Sequence, residues 1–489
     1  MRDGGNAVDA AVVASAVQCV VEPGHCGLGG DLFALVHSSE EGTWALNGSG
    51  RVPGGIVAAL DGEVAPRFGP LSVSVPGTPA SWGLLLDRFG TIGLDRALAP
   101  AIECCEDGFP VYGSLSEMIV RVGDALEDGS SLSQLFSGNP SDIGGLFKQP
   151  ALGSTLRHLA NNGVREFYTG GVGKGIVGDC QSQGGVLALE DMESCEFEFV
   201  EPLMTHVGNA QVYTQPPVSM GLVFIMELML LEKLGAYSES SSLADDIDTL
   251  VRCKHAAFAD GIPALQNGVP NEWLEKAVDT IFESDIQGST WESTGGDDTT
   301  CTVVADGQGM VVSVIHSLFN EFGSRVLLPT SGVILNDRLA NNMIGKNGLK
   351  GGDRAIHTLH SYLLMEDGIP RVMGCTPGGR GQVQINFQIV SNILLRGLSI
   401  KDALEQPRWL SGNPRLPYPK DTLFLEHEIP SEVVEPLESK GHLVHHWDDS
   451  ATSMFGSCVL AGFDRDQSRW YGIADGRRDA KVCVLNGGT

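Results

Sequence analysis

Gly295-Gly296-Asp297-Asp298-Thr299-Thr300-Cys301 is the stretch of this 489-residue chain that says most about its fold and chemistry. A threonine hydroxyl is a poor nucleophile unless a base lies beside it, and a threonine at a free amino terminus carries that base in its own α-amine. The amine titrates at a pKa of roughly 7.7–8.0, so part of it is neutral near pH 7. Cleavage between Asp298 and Thr299 would therefore create nucleophile and base in one residue.

The segments on either side of this junction differ in character. Residues 264–298 are acidic, polar and glycine-containing, which predicts a flexible, solvated segment. Residues 301–305 and 310–318 are apolar and predict two strands joined by the turn Asp306-Gly307-Gln308-Gly309. A mobile segment that runs directly into a sheet suits a cleavable junction, but an ordinary loop before a hairpin has the same pattern.

Composition restricts the class of protein. The formal net charge is −29, with 61 acidic and 32 basic residues, which argues against a nucleic-acid partner because phosphate binding needs clustered Lys and Arg. The sequence has no apolar run of the roughly 18–20 residues that cross a membrane, so we expect no membrane partner. The 11 cysteines have neither CxxC pairs nor regular spacing, which favours free, mostly buried thiols in a reducing compartment. We therefore expect no cofactor and no metal; the compartment stays unassigned, with the cytoplasm favoured for the sequence as written.

Apolar periodicity predicts helices and strands along the whole chain. The predicted helices are 7–21, 79–90, 96–107, 155–163, 220–235, 245–260, 385–396 and 401–406. The predicted strands include 32–37, 43–47, 301–305, 310–318, 332–336, 361–366, 370–374, 456–462 and 469–473. The 63 glycines and 24 prolines are spread through the chain and mark no linker between domains.

Three segments downstream of Thr299 contain candidate partners for it. In Pro377-Gly378-Gly379, consecutive glycines let backbone N–H groups converge on one point, which suits an oxyanion, although a plain strand-to-helix turn has the same composition. Strand alternation lets the Ser317 hydroxyl lie beside Thr299 on the neighbouring strand, although a lone serine at a strand end more commonly faces solvent. The spacing of His357 and His360 suggests a metal site, but no acidic or cysteine ligand lies nearby, so we predict none.

These segments resemble the γ-glutamyltranspeptidase (glutathione hydrolase) family of N-terminal nucleophile hydrolases. The resemblance covers nearly the whole chain, in order. Its motifs are Gly4-Gly5-Asn6-Ala7-Val8-Asp9-Ala10-Ala11, Glu22-Pro23, Gly27-Leu28-Gly29-Gly30-Asp31, Val75-Pro76-Gly77-Thr78, Leu189-Glu190-Asp191, Pro216-Pro217-Val218-Ser219-Met220-Gly221, Gly332-Val333-Ile334-Leu335-Asn336, Pro377-Gly378-Gly379, Gln406-Pro407-Arg408 and Ala474-Asp475-Gly476-Arg477-Arg478-Asp479. The family implies an α+β fold, a four-layer αββα sandwich. An amino-terminal fragment, 1–298, and a catalytic fragment, 299–489, would form it together as one compact unit.

The resemblance also implies roles for individual residues. Thr299 is the nucleophile released from Asp298, Ser317 supplies a hydroxyl that helps to activate it, and Gly378 and Gly379 form the oxyanion hole. The reaction is acyl transfer from a γ-glutamyl amide such as glutathione to water or an acceptor amine. The implied partners are a small amide substrate and, within the processed enzyme, each fragment for the other.

Two departures from the family pattern concern substrate binding. Ser49 stands where an arginine normally holds the substrate α-carboxylate, and Arg51 is displaced by two residues, a shift that keeps the face in a strand but not in a turn. Arg338 and Asn341 stand where an acidic residue and an amide normally bind the α-amine. A cation at that place would repel an ammonium group and favour an acid.

Further departures lie at His357-Thr358, in place of two serines that bind the carboxylate, and at Cys301, in place of a histidine. Together they resemble a branch of the family that includes oxamate amidohydrolase-like proteins. The sequence thus leaves open a γ-glutamyl amide, the amide of a small carboxylate cleaved by hydrolysis alone, and an inactive, uncleaved homologue. Met1 directly precedes the opening helix motif, where relatives carry a further strand and turn and often a signal sequence, so we expect that the true start lies upstream.

Overall fold

The structure is a computed structural model that describes residues 1–2, 4–126, 130–235, 237, 241–267, 271–283, 298–412, 417–447 and 453–485. The stretch Gly295-Gly296-Asp297 and the side chain of Asp298 lie outside the described residues. Residues 264–267 and 271–283 of the segment predicted to be flexible are helical, so the prediction was wrong for them. Leu274, Val278 and Ile281 recur at helical spacing there and are buried in an apolar core.

The described residues form fifteen α-helices. They are α1 (Ala7–Val21), α2 (Ile56–Leu60), α3 (Thr78–Phe89), α4 (Leu94–Glu106), α5 (Gly113–Gly123), α6 (Ser133–Ser137), α7 (Pro150–Asn162), α8 (Gly171–Ser182), α9 (Leu189–Ser194), α10 (Gly221–Leu234), α11 (Leu243–Asn267), α12 (Asn271–Glu283), α13 (Gly381–Leu394), α14 (Ile400–Glu405) and α15 (Val434–Ser439). All eight predicted helices are present.

Eighteen strands lie within the same described ranges. They are β1 (Asp31–Ser38), β2 (Gly42–Gly48), β3 (Phe109–Pro110), β4 (Leu146–Phe147), β5 (Glu198–Val200), β6 (Leu203–Val207), β7 (Ala210–Thr214), β8 (Asp298–Ala305), β9 (Val311–Phe319), β10 (Leu327–Leu328), β11 (Val333–Ile334), β12 (Ser361–Glu366), β13 (Ile369–Cys375), β14 (Trp409–Ser411), β15 (Leu423–Leu425), β16 (Val444–His446), β17 (Val459–Asp464) and β18 (Arg469–Ala474). The nine predicted strands are among them.

Two antiparallel sheets form the centre of the molecule. One has the strand order β5-β2-β1-β9-β8 and the other β18-β17-β13-β12-β7-β6. The sheets face each other across apolar side chains, among them Phe33 and Ile315 from the first sheet and Cys375 from the second. Each sheet combines strands from both sides of residue 298, and the two groups meet where β1 pairs with β9 and where β7 pairs with β12.

Helices cover the two outer faces. Helices α1 and α3 pack on the first sheet, with α4 on α1 and α7 on α4. Helices α10 and α13 pack on the second sheet, with α11 on α10. All eight residues of β1 are buried, as expected for a strand covered on both faces. The predicted four-layer αββα sandwich is confirmed.

The start of α1 shows how local sequence positions the site. The Asn6 side chain accepts a hydrogen bond from the Asp9 N–H at 3.0 Å, and the Asp9 carboxylate accepts one from the Asn6 N–H at 2.8 Å. This capping box fixes the start of a helix that is mostly Ala and Val and lies between the sheet and α4. The helix leads directly into the glycine-rich turn before β1.

The 11 cysteines are free thiols and seven of them are buried, as the sequence predicts. Among the described residues, no helix combines the length and the apolar character needed to cross a membrane.

Candidate active site

Thr299 lies at an irregularity in the pairing of β8, an edge strand of the first sheet, with β9. Asp298 pairs with Phe319 and Thr300 pairs with His316, so Thr299 faces two residues, Ser317 and Leu318. Such a β-bulge turns a side chain out of the regular pleat and is frequent beside active sites. The Thr299 residue is only 7% exposed.

Alternation along β8 sends the two threonines of the Thr-Thr pair to opposite faces. Thr302, on the same face as Thr300, donates a hydrogen bond to Gln18 Oε1 of α1 at 3.1 Å. Cys301 packs instead on the second sheet beside Cys375, and Thr299 shares that face. There the Thr299 hydroxyl oxygen accepts a hydrogen bond from Gln382 Nε2 at 3.3 Å.

The glycine-rich turn between β13 and α13 lies next to this hydrogen bond. Gly378 has φ +128° and Gly379 has φ +53°, conformations that residues with a side chain rarely adopt. Their carbonyls accept from Gly381 N at 2.9 Å and Gln382 N at 3.1 Å. Within the described chain, the N–H groups of the two glycines donate no hydrogen bond, which leaves them available for an oxyanion.

Ser317 lies opposite Thr299 on β9, where alternation predicts it. It is 1% exposed, and its hydroxyl oxygen accepts a hydrogen bond from the Phe319 N–H at 2.8 Å. Phe319 has φ +88°, a strained value for a residue with a side chain. On its other side Ser317 pairs with Asp31 of β1, so Thr299, Ser317 and Asp31 follow one another across three strands.

Asp31 forms a buried ion pair with Arg338. Arg338 Nε lies 3.0 Å from Asp31 Oδ2, and the Gly50 N–H donates to Asp31 Oδ1 at 3.0 Å. Burial raises the pKa of the Asp31 carboxyl, while Arg338 and the Gly50 N–H favour its charged form. Arg338 also lies over the Phe319 ring, with its Cζ 4.6 Å from the centroid. Its two terminal nitrogens, Nη1 and Nη2, are buried without a hydrogen-bond partner.

Two glycines allow the chain to bring this pair beside β9. A Cβ atom on Gly30 would lie 2.5 Å from the Ser317 carbonyl oxygen, and one on Gly29 would lie 2.0 Å from the Ile334 carbonyl oxygen. Only glycine fits at both positions, because backbone oxygens cannot retreat as a flexible side chain can. The turn before β1 and the segment leading to Arg338 therefore meet at Ser317.

His357 completes the buried cluster. It is fully buried, its Nδ1 lies 3.9 Å from Asp31 Oδ2, and neither ring nitrogen has a hydrogen-bond partner. Burial, and then the charges of Arg338 and Arg354, lower the pKa of His357, so the imidazole is neutral at pH 7. Unpartnered guanidinium and imidazole nitrogens next to each other can bind a small carboxylate.

The other residues predicted to bind substrate have different surroundings. Strand β2 ends at Gly48, so Arg51 does not continue the strand, and its Nη1 donates to the Gly352 carbonyl at 2.8 Å. Asn341 is exposed with φ +61°. Thr358 follows His357 in the buried segment, and its carbonyl oxygen lies 3.3 Å from His360 Nδ1.

Sequence reasoning missed two residues at the site. Gln382 lies in the first turn of α13, three residues after Gly379, and a glutamine at the start of a helix gives no signal of its own. Asp31 is part of a quoted glycine-rich motif, and an acidic residue directly after two glycines at a strand start could have marked it. Both act through partners that are distant in sequence.

One group of side chains in the described ranges has ligand atoms close enough for a metal. The ligand atoms of Cys19, Cys26 and His316 lie within 4.8 Å of one another. His316 Nε2 is hydrogen-bonded to Gln18 Oε1 at 3.1 Å, and the cluster lies on the α1 side of the sheet. It is therefore on the face opposite to the Thr299 hydroxyl.

A groove of about 940 Å³ opens along the edge of β8. Thr299, Asn320 and Pro377 are among its walls, so solvent reaches the bulge from this side. Asp31, Arg338 and His357 lie inward of it, on the far side of Ser317.

A model of the family described as gamma-glutamyltranspeptidase matches residues 1–485. The chain belongs to this family. The predicted resemblance is confirmed, and the chain is an enzyme of the glutathione hydrolase-like class.

Curated relatives align with nearly the full length of the chain. It is 30% identical over 484 residues to an oxamate amidohydrolase proenzyme of Klebsiella pneumoniae, covering 93% of this chain and 90% of that one. It is 28% identical over 467 residues to a glutathione hydrolase-like proenzyme of Bacillus subtilis, covering 90% and 87%. Both relatives are named proenzymes.

Solved structures share the fold. A cephalosporin acylase from Bacillus halodurans superimposes with a TM-score of 0.88 at 28% identity, over 100% of this chain and 93% of that one. A γ-glutamyltranspeptidase from Helicobacter pylori gives a TM-score of 0.53 at 27% identity, over 60% and 88%.

Proposed function

We propose that the chain is a self-processing amidohydrolase whose nucleophile is Thr299. One observation carries the proposal: the Thr299 hydroxyl is buried at a bulge and hydrogen-bonded to Gln382, three residues after Gly379 in the helix that follows the Gly378-Gly379 turn. The Thr299 hydroxyl therefore lies next to the turn whose N–H groups would bind the oxyanion. The proenzyme names of the curated relatives support a cleavage step.

Processing begins with attack of the Thr299 hydroxyl on the carbonyl carbon of Asp298. The C–O bond forms, the Asp298–Thr299 C–N bond breaks, and the nitrogen takes up a proton to become the free α-amine of Thr299. Water then hydrolyses the ester, leaving a carboxylate on Asp298. The two fragments stay associated, because β1 of the first fragment pairs with β9 of the second over seven residue pairs.

Turnover uses the same hydroxyl with the new α-amine as base. The amine takes the hydroxyl proton as oxygen attacks the substrate amide, and the N–H groups of Gly378 and Gly379 stabilise the oxyanion. The proton passes to the leaving amine as the C–N bond breaks. Water then hydrolyses the acyl ester; Ser317, on the neighbouring strand, helps to activate the Thr299 hydroxyl.

The acyl group that relatives suggest first is γ-glutamyl, from the glutathione hydrolases. The amide of a small carboxylate is the second candidate, and Arg338 specifically favours it. Two buried guanidinium nitrogens without partners suit a carboxylate and not an ammonium group. A relative named oxamate amidohydrolase agrees with that chemistry. His357 is buried beside Arg338 and Thr358 directly follows it, whereas Arg51 donates to the Gly352 carbonyl and Asn341 is exposed.

The test is expression of the chain followed by mass analysis. Cleavage before Thr299 yields fragments of 298 and 191 residues from the 489, and Thr299→Ala leaves one chain without turnover. Thr299→Ser is the matched control, since it keeps a hydroxyl and retains cleavage. An intact chain that hydrolyses amides would contradict the mechanism. Comparing a γ-glutamyl anilide with oxamate, each against the matured protein, separates the two acyl groups.

A further inference from the structure

The groove beside Thr299 is cationic although the protein is strongly acidic. Six formal positive charges line it, against four negative ones, in a chain whose formal net charge is −29. The cationic residues are Arg67, Arg121, Arg325, Arg477, Arg478 and Lys481. A groove with a net positive charge in a negatively charged surface attracts anionic ligands.

Some of these charges are already neutralised by neighbours. Arg121 forms an ion pair with Glu321, and Arg477 donates to Glu426 at 2.6 Å and to Asp475 at 3.2 Å. For Arg67 and Arg325 the described residues show no carboxylate within ion-pair distance. These two guanidinium groups therefore carry no ion pair and can take an anionic ligand, although Arg325 Nη1 already donates to the Ala125 carbonyl at 3.5 Å.

Arg67 and Arg325 share one aromatic ring. The Cζ of Arg325 lies 3.8 Å and that of Arg67 lies 5.0 Å from the centroid of Phe68. Two like charges gathered at one ring repel each other, and burial, together with the charge of Arg67, lowers the pKa of Arg325. An anion between them would relieve that repulsion.

The backbone holds this pair rigidly at the groove. The Gly69 N–H donates to the Ser324 carbonyl at 2.8 Å, which ties the segment of Arg67 and Phe68 to that of Arg325. Arg325 itself has φ +61°, a conformation that a non-glycine residue keeps only where the surroundings impose it. Its Nε is buried without a hydrogen-bond partner. A strained backbone with an unsatisfied donor is typical of a ligand site.

The groove and the inward cluster lie on different sides of Thr299, which indicates the part of a substrate that would meet Arg67 and Arg325. The cluster of Asp31, Arg338 and His357 is enclosed and lies inward, whereas the groove is open to solvent. An acyl group held inward leaves the amine side of the scissile bond in the groove. We propose that Arg67 and Arg325 bind a carboxylate on the amine side of the substrate, so that the enzyme selects anionic leaving groups and acceptors.

The proposal rests on the proposed function, and two chromogenic substrates test it. γ-Glutamyl-4-nitroanilide and γ-glutamyl-3-carboxy-4-nitroanilide differ by one carboxylate on the leaving aniline. We expect kcat/KM for the carboxylated anilide to be higher by on the order of tenfold, as for a charge-assisted hydrogen bond. The preference should fall as NaCl is raised, because salt screens exposed charges.

Variants assign the preference to the two arginines. Arg67→Gln and Arg325→Gln should each bring the ratio of the two kcat/KM values several-fold closer to one, and Arg67→Lys should retain part of it. Lys401→Gln is the control, since it removes the same charge from α14, where Lys401 pairs with Glu405. Equal efficiency with both anilides, or a ratio that Arg67→Gln and Lys401→Gln change alike, would overturn the proposal.

Binding of the leaving groups keeps the proposal testable without turnover. Calorimetry with 5-amino-2-nitrobenzoate and with 4-nitroaniline should show tighter binding of the first, and Arg67→Gln should abolish the difference. Tighter binding without hydrolysis of either anilide would refute a γ-glutamyl substrate and leave the groove proposal standing. Equal binding of the two compounds would refute the groove proposal, whatever the turnover.

Discussion

Replacing Arg338 with methionine should destabilise the protein strongly, because it removes the partner of a fully buried carboxylate. Asp31 is 0% and Arg338 1% exposed, and their atoms are 3.0 Å apart. Removal of one partner from a buried ion pair lowers the free energy of unfolding by about 3–5 kcal/mol, since the remaining charge is buried away from solvent and has no partner. For a chain of this length the unfolding entropy is about 1 kcal/mol per kelvin, so the melting midpoint should fall by about 3–5 °C.

The measurement is thermal unfolding at a fixed scan rate, in the Thr299→Ala background so that every variant is an intact chain. Arg157→Met is the matched control. It breaks an ion pair with Glu106 whose two side chains are 56% and 41% exposed. An exposed pair contributes about 0–1 kcal/mol, so the control should shift the midpoint by no more than about 1 °C.

A double variant separates the cost of leaving the Asp31 carboxylate unpaired from the cost of losing the packing of the Arg338 side chain. Adding Asp31→Asn to Arg338→Met removes the carboxylate and keeps an oxygen for the Gly50 N–H, so most of the lost stability should return. Two results would show that Asp31 is not left as an unpaired buried charge: Arg338→Met and Arg157→Met lower the melting midpoint equally, or Asp31→Asn restores none of the lost stability. The ion-pair reasoning would then be wrong.

Three further variants test other contacts. Gln382→Ala removes a hydrogen bond to Thr299 worth about 0.5–1.5 kcal/mol and should slow self-cleavage and turnover about 2- to 13-fold; unchanged rates would exclude a role for this bond. Gly378→Ala meets no atom nearer than 3.8 Å but conflicts with φ +128°, so the turn should shift and kcat should fall by on the order of 10²-fold. Burial raises the pKa of Asp337 from 3.8 to about 6, so its contribution to stability is present below pH 3.8 and is lost as the pH rises to 6. Asp337→Asn should flatten the pH dependence of the urea midpoint between pH 4 and 6, and an unaltered slope would contradict that assignment.

Local patterns predicted much of the fold. Helix α1 begins and ends at the predicted residues, because its cap and its apolar run are both encoded locally. The β6–β7 hairpin was not predicted, since Met204 is apolar at an outward position, Thr205 is polar at an inward one, and the sheet is completed by β12, about 150 residues later. The helix Asn271–Glu283 was not predicted, because the segment around it is acidic and polar and was interpreted as flexible.

The sequence by itself determined the family, the cleavage junction as a hypothesis, and the pairing of Thr299 with Ser317. These depend on short motifs and on the two-residue period of neighbouring strands, which are local properties. It also marked Gly378 and Gly379, because consecutive glycines most readily adopt positive φ angles such as those observed there.

Only the tertiary structure revealed the pairing of Asp31 with Arg338, residues 307 positions apart. The sequence indicated a cation at Arg338, and the fold showed that one of its nitrogens is paired while the other two are buried without partners. The same holds for the Thr299–Gln382 bond and for the two arginines on Phe68. No local pattern encodes such contacts, since each joins distant segments that come together only when the two sheets pack.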